Sequence, residues 1–280
     1  MNENILNQNF LFVATRLVYF LRRTVIVLLL VLFFDSAKAQ HNFMQHTAFQ
    51  PGEKITFTVF YNVIGMYINA GTAIFTTNVT KHKNINAYHV VAEGVTNKKY
   101  DWIFKVRDRY ESVFDEDFNS LKFSRDVHEG KISFSEEVVF NNDNNTAVSS
   151  NKIYKVPPSV MDVLNSIYYA RNIDYDSYKV GDKISFSMFL DREVYNMYIR
   201  YLGKEEIKTK YGKFKAIKLK PLLLKGSMFD GGESMTMWVT DDANHIPVRI
   251  ESDISVGKVK VDLMEYANLR HPLSSLMAKN

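Results

Sequence analysis

Val194-Tyr195-Asn196-Met197-Tyr198-Ile199-Arg200-Tyr201 decides the fold class. Tyr195, Met197, Ile199 and Tyr201 occupy one set of alternate positions, and Val194, Asn196, Tyr198 and Arg200 the other. A strand sends successive side chains to opposite faces, so this pattern predicts a half-buried strand with one face on a core. The same period recurs outward in both directions. Ile55, Phe57 and Val59 alternate with Lys54, Thr56 and Thr58, and Val259, Val261 and Leu263 with Lys258, Lys260 and Asp262. Lys215, Lys218 and Lys220 interleave with Ile217 and Leu219. Turn residues such as Gly212-Lys213, Asn141-Asn142 and Asp241-Asp242-Ala243-Asn244 separate the runs. A one-face-buried pattern with short connections belongs to antiparallel sheets.

One segment breaks the period. Pro157-Pro158 ends what precedes it, and Ser159 with Asp162 three residues on predicts a capped helix start. Val160, Leu164, Ile167, Tyr168 and Arg171 follow at helical spacing, and Asn172 can end the helix. The expected fold is therefore α+β and mostly β: a strongly curved antiparallel sheet, or open β-barrel, around one central helix over 159–172. The stretch Gly52 to Phe60 parallels Gly181 to Phe189, and Met66-Tyr67-Ile68 parallels Met197-Tyr198-Ile199. These pairings suggest two related halves, about 50–150 and 180–267, on either side of the helix. The alternative reading is a generic turn-into-strand composition.

The N-terminus predicts export. Arg22 and Arg23 precede the unbroken apolar run Thr24 to Phe34, and Ala37-Lys38-Ala39 supplies a small-x-small cleavage site before Gln40. The expectation is a signal peptide over 1–39 and a single domain over 40–280, periplasmic or secreted and not integral to the membrane after cleavage. The alternative is an uncleaved N-terminal anchor helix. The chain has no cysteine, which removes disulfides, thiolate chemistry and a lipid-modified Cys. About 240 residues remain after cleavage, enough to bury a core without such staples. Thirty-five Lys+Arg against 31 Asp+Glu give a net charge of +4 with no basic cluster, so no nucleic-acid partner is expected.

Catalytic signatures are missing: no G-x-S-x-G elbow, no H-E-x-x-H, no P-loop and no G-x-G-x-x-G. The seven histidines show no metal-binding spacing, and no metal or cofactor is expected. Two local features carry chemistry. In Lys105 to Glu111, period 2 places Asp108 with Phe104, Val106 and Tyr110 on the apolar face, where a carboxylate must be paired or hydrogen-bonded. The second is a strand ending Trp238-Val239-Thr240, an Asp241-Asp242 turn and a return over Ile246-Pro247-Val248-Arg249, which predicts a hairpin whose Asx side chains hold the turn.

Pro51-Gly52-Glu53, Phe104 to Tyr110, the helix Asp162 to Arg171, and Trp238 to Asp242 with Ile246 to Arg249 together resemble the bacterial DUF3108 family, over about Phe49 to Leu269. The resemblance implies an exported bacterial protein with a curved antiparallel fold and brings no established catalytic residues. The expected function is non-catalytic binding of a lipid or other apolar or amphipathic small molecule, or of an envelope protein. The expected contacts are Trp102, Phe104, Asp108, Tyr168, Tyr169 and Trp238. The competing expectation is an envelope enzyme acting on cell-wall or glycan material through carboxylates such as Asp108 or Glu111.

Overall fold

The computed structural model describes residues 48–63, 65–102, 105–224, 232–253 and 257–279. The predicted signal peptide lies outside the described residues. Eight strands precede the helix: β1 (Lys54–Val63), β2 (Met66–His82), β3 (Ile85–Thr96), β4 (Arg107–Phe114), β5 (Ser120–Glu129), β6 (Ile132–Asn141), β7 (Thr146–Ser149) and β8 (Lys152–Lys155). The helix α1 (Val163–Arg171) follows. Seven strands come after it: β9 (Lys183–Leu190), β10 (Glu193–Lys208), β11 (Gly212–Pro221), β12 (Met235–Thr240), β13 (Pro247–Asp253), β14 (Lys258–Ala267) and β15 (Leu276–Lys279).

All strands join one antiparallel sheet in the order β8 to β1, then β14 down to β9, with β15 on β11. Each half is a meander of neighbouring hairpins, and the β1–β14 pair joins them. The matching segments Gly52–Phe60 and Gly181–Phe189 lead into β1 and β9, and Met66–Ile68 and Met197–Ile199 lie on their partners β2 and β10. The sheet bends because β1 shifts register against β14 between Thr56 and Phe57 and against β2 between Val59 and Phe60. The period-2 expectation holds in detail: Met197, Ile199 and Tyr201 are buried, as are Val106, Asp108, Tyr110, Ser112 and Phe114.

The sheet does not close. Its edges β8 and β9 are bridged by side chains and by the segment that leads into α1. Met161 runs beside β9, its N–H donating to Ser187 O (2.9 Å) and its carbonyl accepting from Phe189 N–H (2.9 Å). Tyr154 and Phe140 reach the Phe189 ring from the other edge, at 5.6 and 6.1 Å between centroids.

This edge contact also corrects the predicted helix start. The helix begins at Val163, not after Ser159. Ser159 sits at φ +57, and Met161 pairs with Met188 of β9. The N-cap is Asp162, whose carboxylate accepts from Asn165 N–H at 3.0 Å. Asn172 ends the helix as expected. Asp162 is buried and also accepts from the hydroxyls of Ser112 (2.7 Å) and Ser120 (2.8 Å). Those bonds fix the helix start on β4 and β5.

Candidate functional site

The helix is off-centre inside the curved sheet. Its contacts run to β4, β9 and β3, and Val163 and Leu164 are fully buried. On the opposite side a cavity separates α1 from the wall formed by β1, β2 and β10 to β13. Its volume is about 60 Å³. Ile167 and Ala170 of the helix face Phe57, Phe75, Leu219 and Met237 of the sheet. The walls are apolar because each strand contributes alternate residues: Met237 and Val239 point in, and Trp238 between them points out.

One end of the cavity is polar. Arg171, from the last turn of α1, lies there with His245. The Arg171 guanidinium makes two bonds to Glu53 (2.6 and 2.9 Å), one to Ala48 O (3.0 Å) and one to Asn244 O (3.1 Å). Burial opposes the charge of Arg171, but Glu53, with smaller help from Tyr168 and Asp242, holds its pKa above the ordinary value. His245 has its Nδ1 at 2.8 Å from Arg171 O, and burial pushes its pKa down, so the ring is neutral at pH 7. The Tyr175 hydroxyl donates to Ala170 O (2.9 Å), and the Tyr168 hydroxyl accepts from Thr77 (2.8 Å). Burial raises both phenols, so both stay protonated. The polar rim is thus satisfied from within the protein.

The residues singled out in sequence do not assemble into one place. Tyr168 lines the cavity, stacked edge-on against Phe49 at 4.8 Å. Tyr169, its neighbour, packs between Phe118 (5.5 Å) and Phe186 (5.9 Å) instead. Trp238 lies on the outer face, its indole N–H donating to Glu205 at 2.6 Å. Trp102 is 74% exposed, and Phe104 lies outside the described residues. Asp108 is buried near the start of β4, accepting from His128 N–H at 2.9 Å. Burial raises its pKa. Glu111 points outward to His89 (2.7 Å) and Arg109 (2.8 Å), so Asp108 and Glu111 stand on opposite faces and cannot share a site. Among the described residues no group of three or more His, Asp or Glu is placed to hold a metal ion.

Sequence reasoning missed Glu53, Arg171 and His245. Glu53 and Arg171 are 118 positions apart, and local pattern cannot pair them. The signal that could have found them is that both stand in motifs, Pro51-Gly52-Glu53 and the helix, and would be costly charges if buried alone.

The profile described as protein of unknown function (DUF3108) matches residues 54–264. The chain belongs to the DUF3108 family. The match spans β1 to β14, so both halves of the sheet and the helix are DUF3108 structure. No curated protein matches this DUF3108 chain. Among solved structures, a β-barrel-like protein of domain of unknown function DUF1849 from Brucella abortus superposes with a TM-score of 0.53 at 8% identity, covering 79% of this chain and 99% of that one. That likeness is one of fold. The Mycobacterium tuberculosis lipoprotein LppX aligns with a TM-score of 0.23 at 11% identity, over 86% of this chain and 100% of its own.

Proposed function

We propose that this DUF3108 protein is exported and binds an apolar chain, without catalysis, in the cavity between α1 and the β1–β2 and β10–β13 wall. The carrying observation is that cavity: its sides are aliphatic and aromatic, and the polar groups at its end already have protein partners. An acyl or similar chain entering it leaves water at about 0.8 kcal/mol per buried CH₂. Export rests on the signal-like N-terminal sequence. The charged outer sheet face, with Arg107, Arg109, Lys218 and Lys260, disfavours a lipid-facing barrel, since such charges cost about 2–4 kcal/mol at mid-bilayer. Of the sequence-derived contacts, Tyr168 lines this cavity, which supports the reading.

Uptake of diphenylhexatriene, which fluoresces only in apolar surroundings, tests the reading. The expected result is saturable enhancement, displaced by long-chain alkyl compounds, together with an acyl-sized adduct in native mass spectrometry of protein from its own envelope. No enhancement and no adduct would remove the binding role and leave a partner-binding surface in the lead.

A further inference from the structure

Four turns share one rim of the sheet, at the far end of β1 from Glu53: those joining β1 to β2, β3 to β4, β5 to β6 and β13 to β14. They are neighbours in space. Asn62 of β1 pairs with Lys258 of β14, Asn97 N–H donates to Ala70 O of β2 (3.0 Å), and Gly130 N–H donates to Lys105 O (2.9 Å). The β3–β4 turn is held so that it presents a tryptophan. The Asn97 side chain accepts from Lys99 N–H (3.3 Å) and opens a 3₁₀ turn over Lys98–Tyr100. The Asp101 carboxylate then accepts from the Thr96 hydroxyl (2.9 Å) and from Arg107 (2.6 Å). Trp102, next along, is left 74% exposed. At the tip of the β1–β2 hairpin, Met66 is 70% exposed and Tyr67 is exposed beside it.

The surroundings of these side chains are basic. Over 97–107, 129–131 and 253–258 the rim carries Lys98, Lys99, Lys105, Arg107, Lys131 and Lys258. Its acids are already engaged or hidden. Asp101 holds Arg107, with Lys105 also in its field, Asp253 holds Lys258 (2.8 Å), and Glu129 is buried. Among the described residues, Lys98, Lys99 and Lys131 are exposed and make no ion pair. Lysines also border the aromatic rings: the Lys99 ammonium lies 4.8 Å from the Tyr100 centroid, and that of Lys260 4.2 Å from the Tyr67 centroid.

We propose that this rim docks on an anionic membrane surface, with Trp102, Tyr67 and Met66 among the lipid head groups and the lysines against the lipid phosphates. Trp and Tyr collect at the bilayer interface because each has an apolar body and a polar tip. Lysines reach a negative surface on apolar stems and gain from its potential. A protein partner suits the rim less well. Lysines are depleted in the buried centre of protein interfaces, and here they stand between the exposed apolar side chains. Those side chains also occupy the tips of two turns rather than a continuous patch. The docking involves turn tips at the surface, with no strand facing lipid, and it does not depend on a ligand in the cavity beside α1.

Vesicle flotation of the protein as its own host processes it tests this. Vesicles of equal phosphatidylglycerol and phosphatidylcholine should bind it at least about tenfold more tightly than pure phosphatidylcholine. That binding should vanish near about 1 M salt, where charges are screened beyond about 3 Å. Each lysine at an anionic surface is worth a factor of about five, so Lys98→Gln/Lys99→Gln should weaken binding at least about tenfold. Trp102→Ala should weaken it as well. Both variants should keep the wild-type melting temperature, because all three side chains are exposed. Trp238→Phe leaves Trp102 as the sole tryptophan, and its emission should move to the blue when anionic vesicles are added. Equal binding to the two vesicle types, binding unmoved by the lysine and Trp102 changes, or no binding to either would overturn the proposal. A dimer in analytical ultracentrifugation that shields Trp102 from acrylamide, without vesicle binding, would overturn it in favour of a second copy of the chain.

Discussion

Arg171 and Glu53 form a two-bond ion pair inside the protein, at 4% and 1% exposure. The pair ties the end of the only α-helix among the described residues to the residue just before β1, and Arg171 also holds the chain at Ala48. Phe49 then reaches Tyr168, Tyr88 and Phe114, at 4.8, 5.0 and 6.3 Å between ring centroids. Glu53→Gln leaves a buried guanidinium uncompensated and should cost about 3–5 kcal/mol. The double change Glu53→Leu/Arg171→Met should cost clearly less than Glu53→Gln alone, because it leaves no bare charge. Urea midpoints decide it, and a double variant as damaged as the single one would mean that the pair's hydrogen bonds, not its charge balance, matter most.

Asp162 makes the fold sensitive to pH. Burial raises its carboxyl from the ordinary 3.8 to about 6, against the lowering effect of its hydrogen bonds. Between those values the folded protein holds a proton that the unfolded chain releases. The contribution of this group therefore favours folding most below pH 4, and that advantage is lost as pH rises to about 6, a span of about 3 kcal/mol. Asp162→Asn keeps an acceptor for Asn165 N–H and removes the titration. The stability difference between variant and parent should then move in the variant's favour from pH 4 to pH 7. Denaturation curves at several pH values check this, and parallel pH profiles would show that Asp162 does not titrate in that window.

Much of this architecture was legible in the chain. Val194–Tyr201 announced a half-buried strand because alternation is a local property of strand geometry, and the hairpin at Asp241-Asp242 was legible for the same reason: Asp242 accepts from Thr240 and Asn244 within its own turn. The helix was found but placed too early, since Ser159 and Asp162 both suit an N-cap and only the pairing of Met161 with β9 chooses between them. The cavity was not legible. Tyr168 and Tyr169 are adjacent aromatics in sequence, yet one faces the space beside β1 and the other packs on Phe118 and Phe186. Which helix face lacks a partner depends on where α1 settles within the bent sheet, a long-range outcome.

The unequal packing of α1 gives a graded expectation. Leu164 is fully buried, so Leu164→Ala should cost about 2–5 kcal/mol. Ile167 borders the cavity and is only half-buried, so Ile167→Ala should cost less and leave a larger cavity. Equal losses in denaturant midpoint would place Ile167 in a filled core instead.

Filling the cavity should block uptake. Ala170→Phe places a ring in the space between α1 and the sheet, and diphenylhexatriene binding should weaken at least about tenfold. Trp238→Ala and Trp102→Ala should leave it unchanged, since one indole lies on the outer face and the other is exposed. A loss of binding in either tryptophan variant, with Ala170→Phe unaffected, would move the site to the outside of the sheet.

The polar end of the cavity sets which ligands it can take. Glu53 already balances the charge of Arg171, and burial keeps His245 neutral at pH 7. A ligand carboxylate buried beside them would face no free positive charge, at a cost of several kcal/mol. The cavity should therefore prefer a neutral chain, with any charged head group left at the mouth. Methyl palmitate should displace diphenylhexatriene at lower concentration than palmitate at pH 8, and the gap should narrow toward pH 5 as palmitate takes up a proton. Any charge His245 gained toward pH 5 would attract the carboxylate and narrow the gap further. Competition curves at the two pH values give the answer. Tighter binding of palmitate than of its ester at pH 8, abolished by Arg171→Met, would show instead that Arg171 leaves Glu53 to meet the ligand.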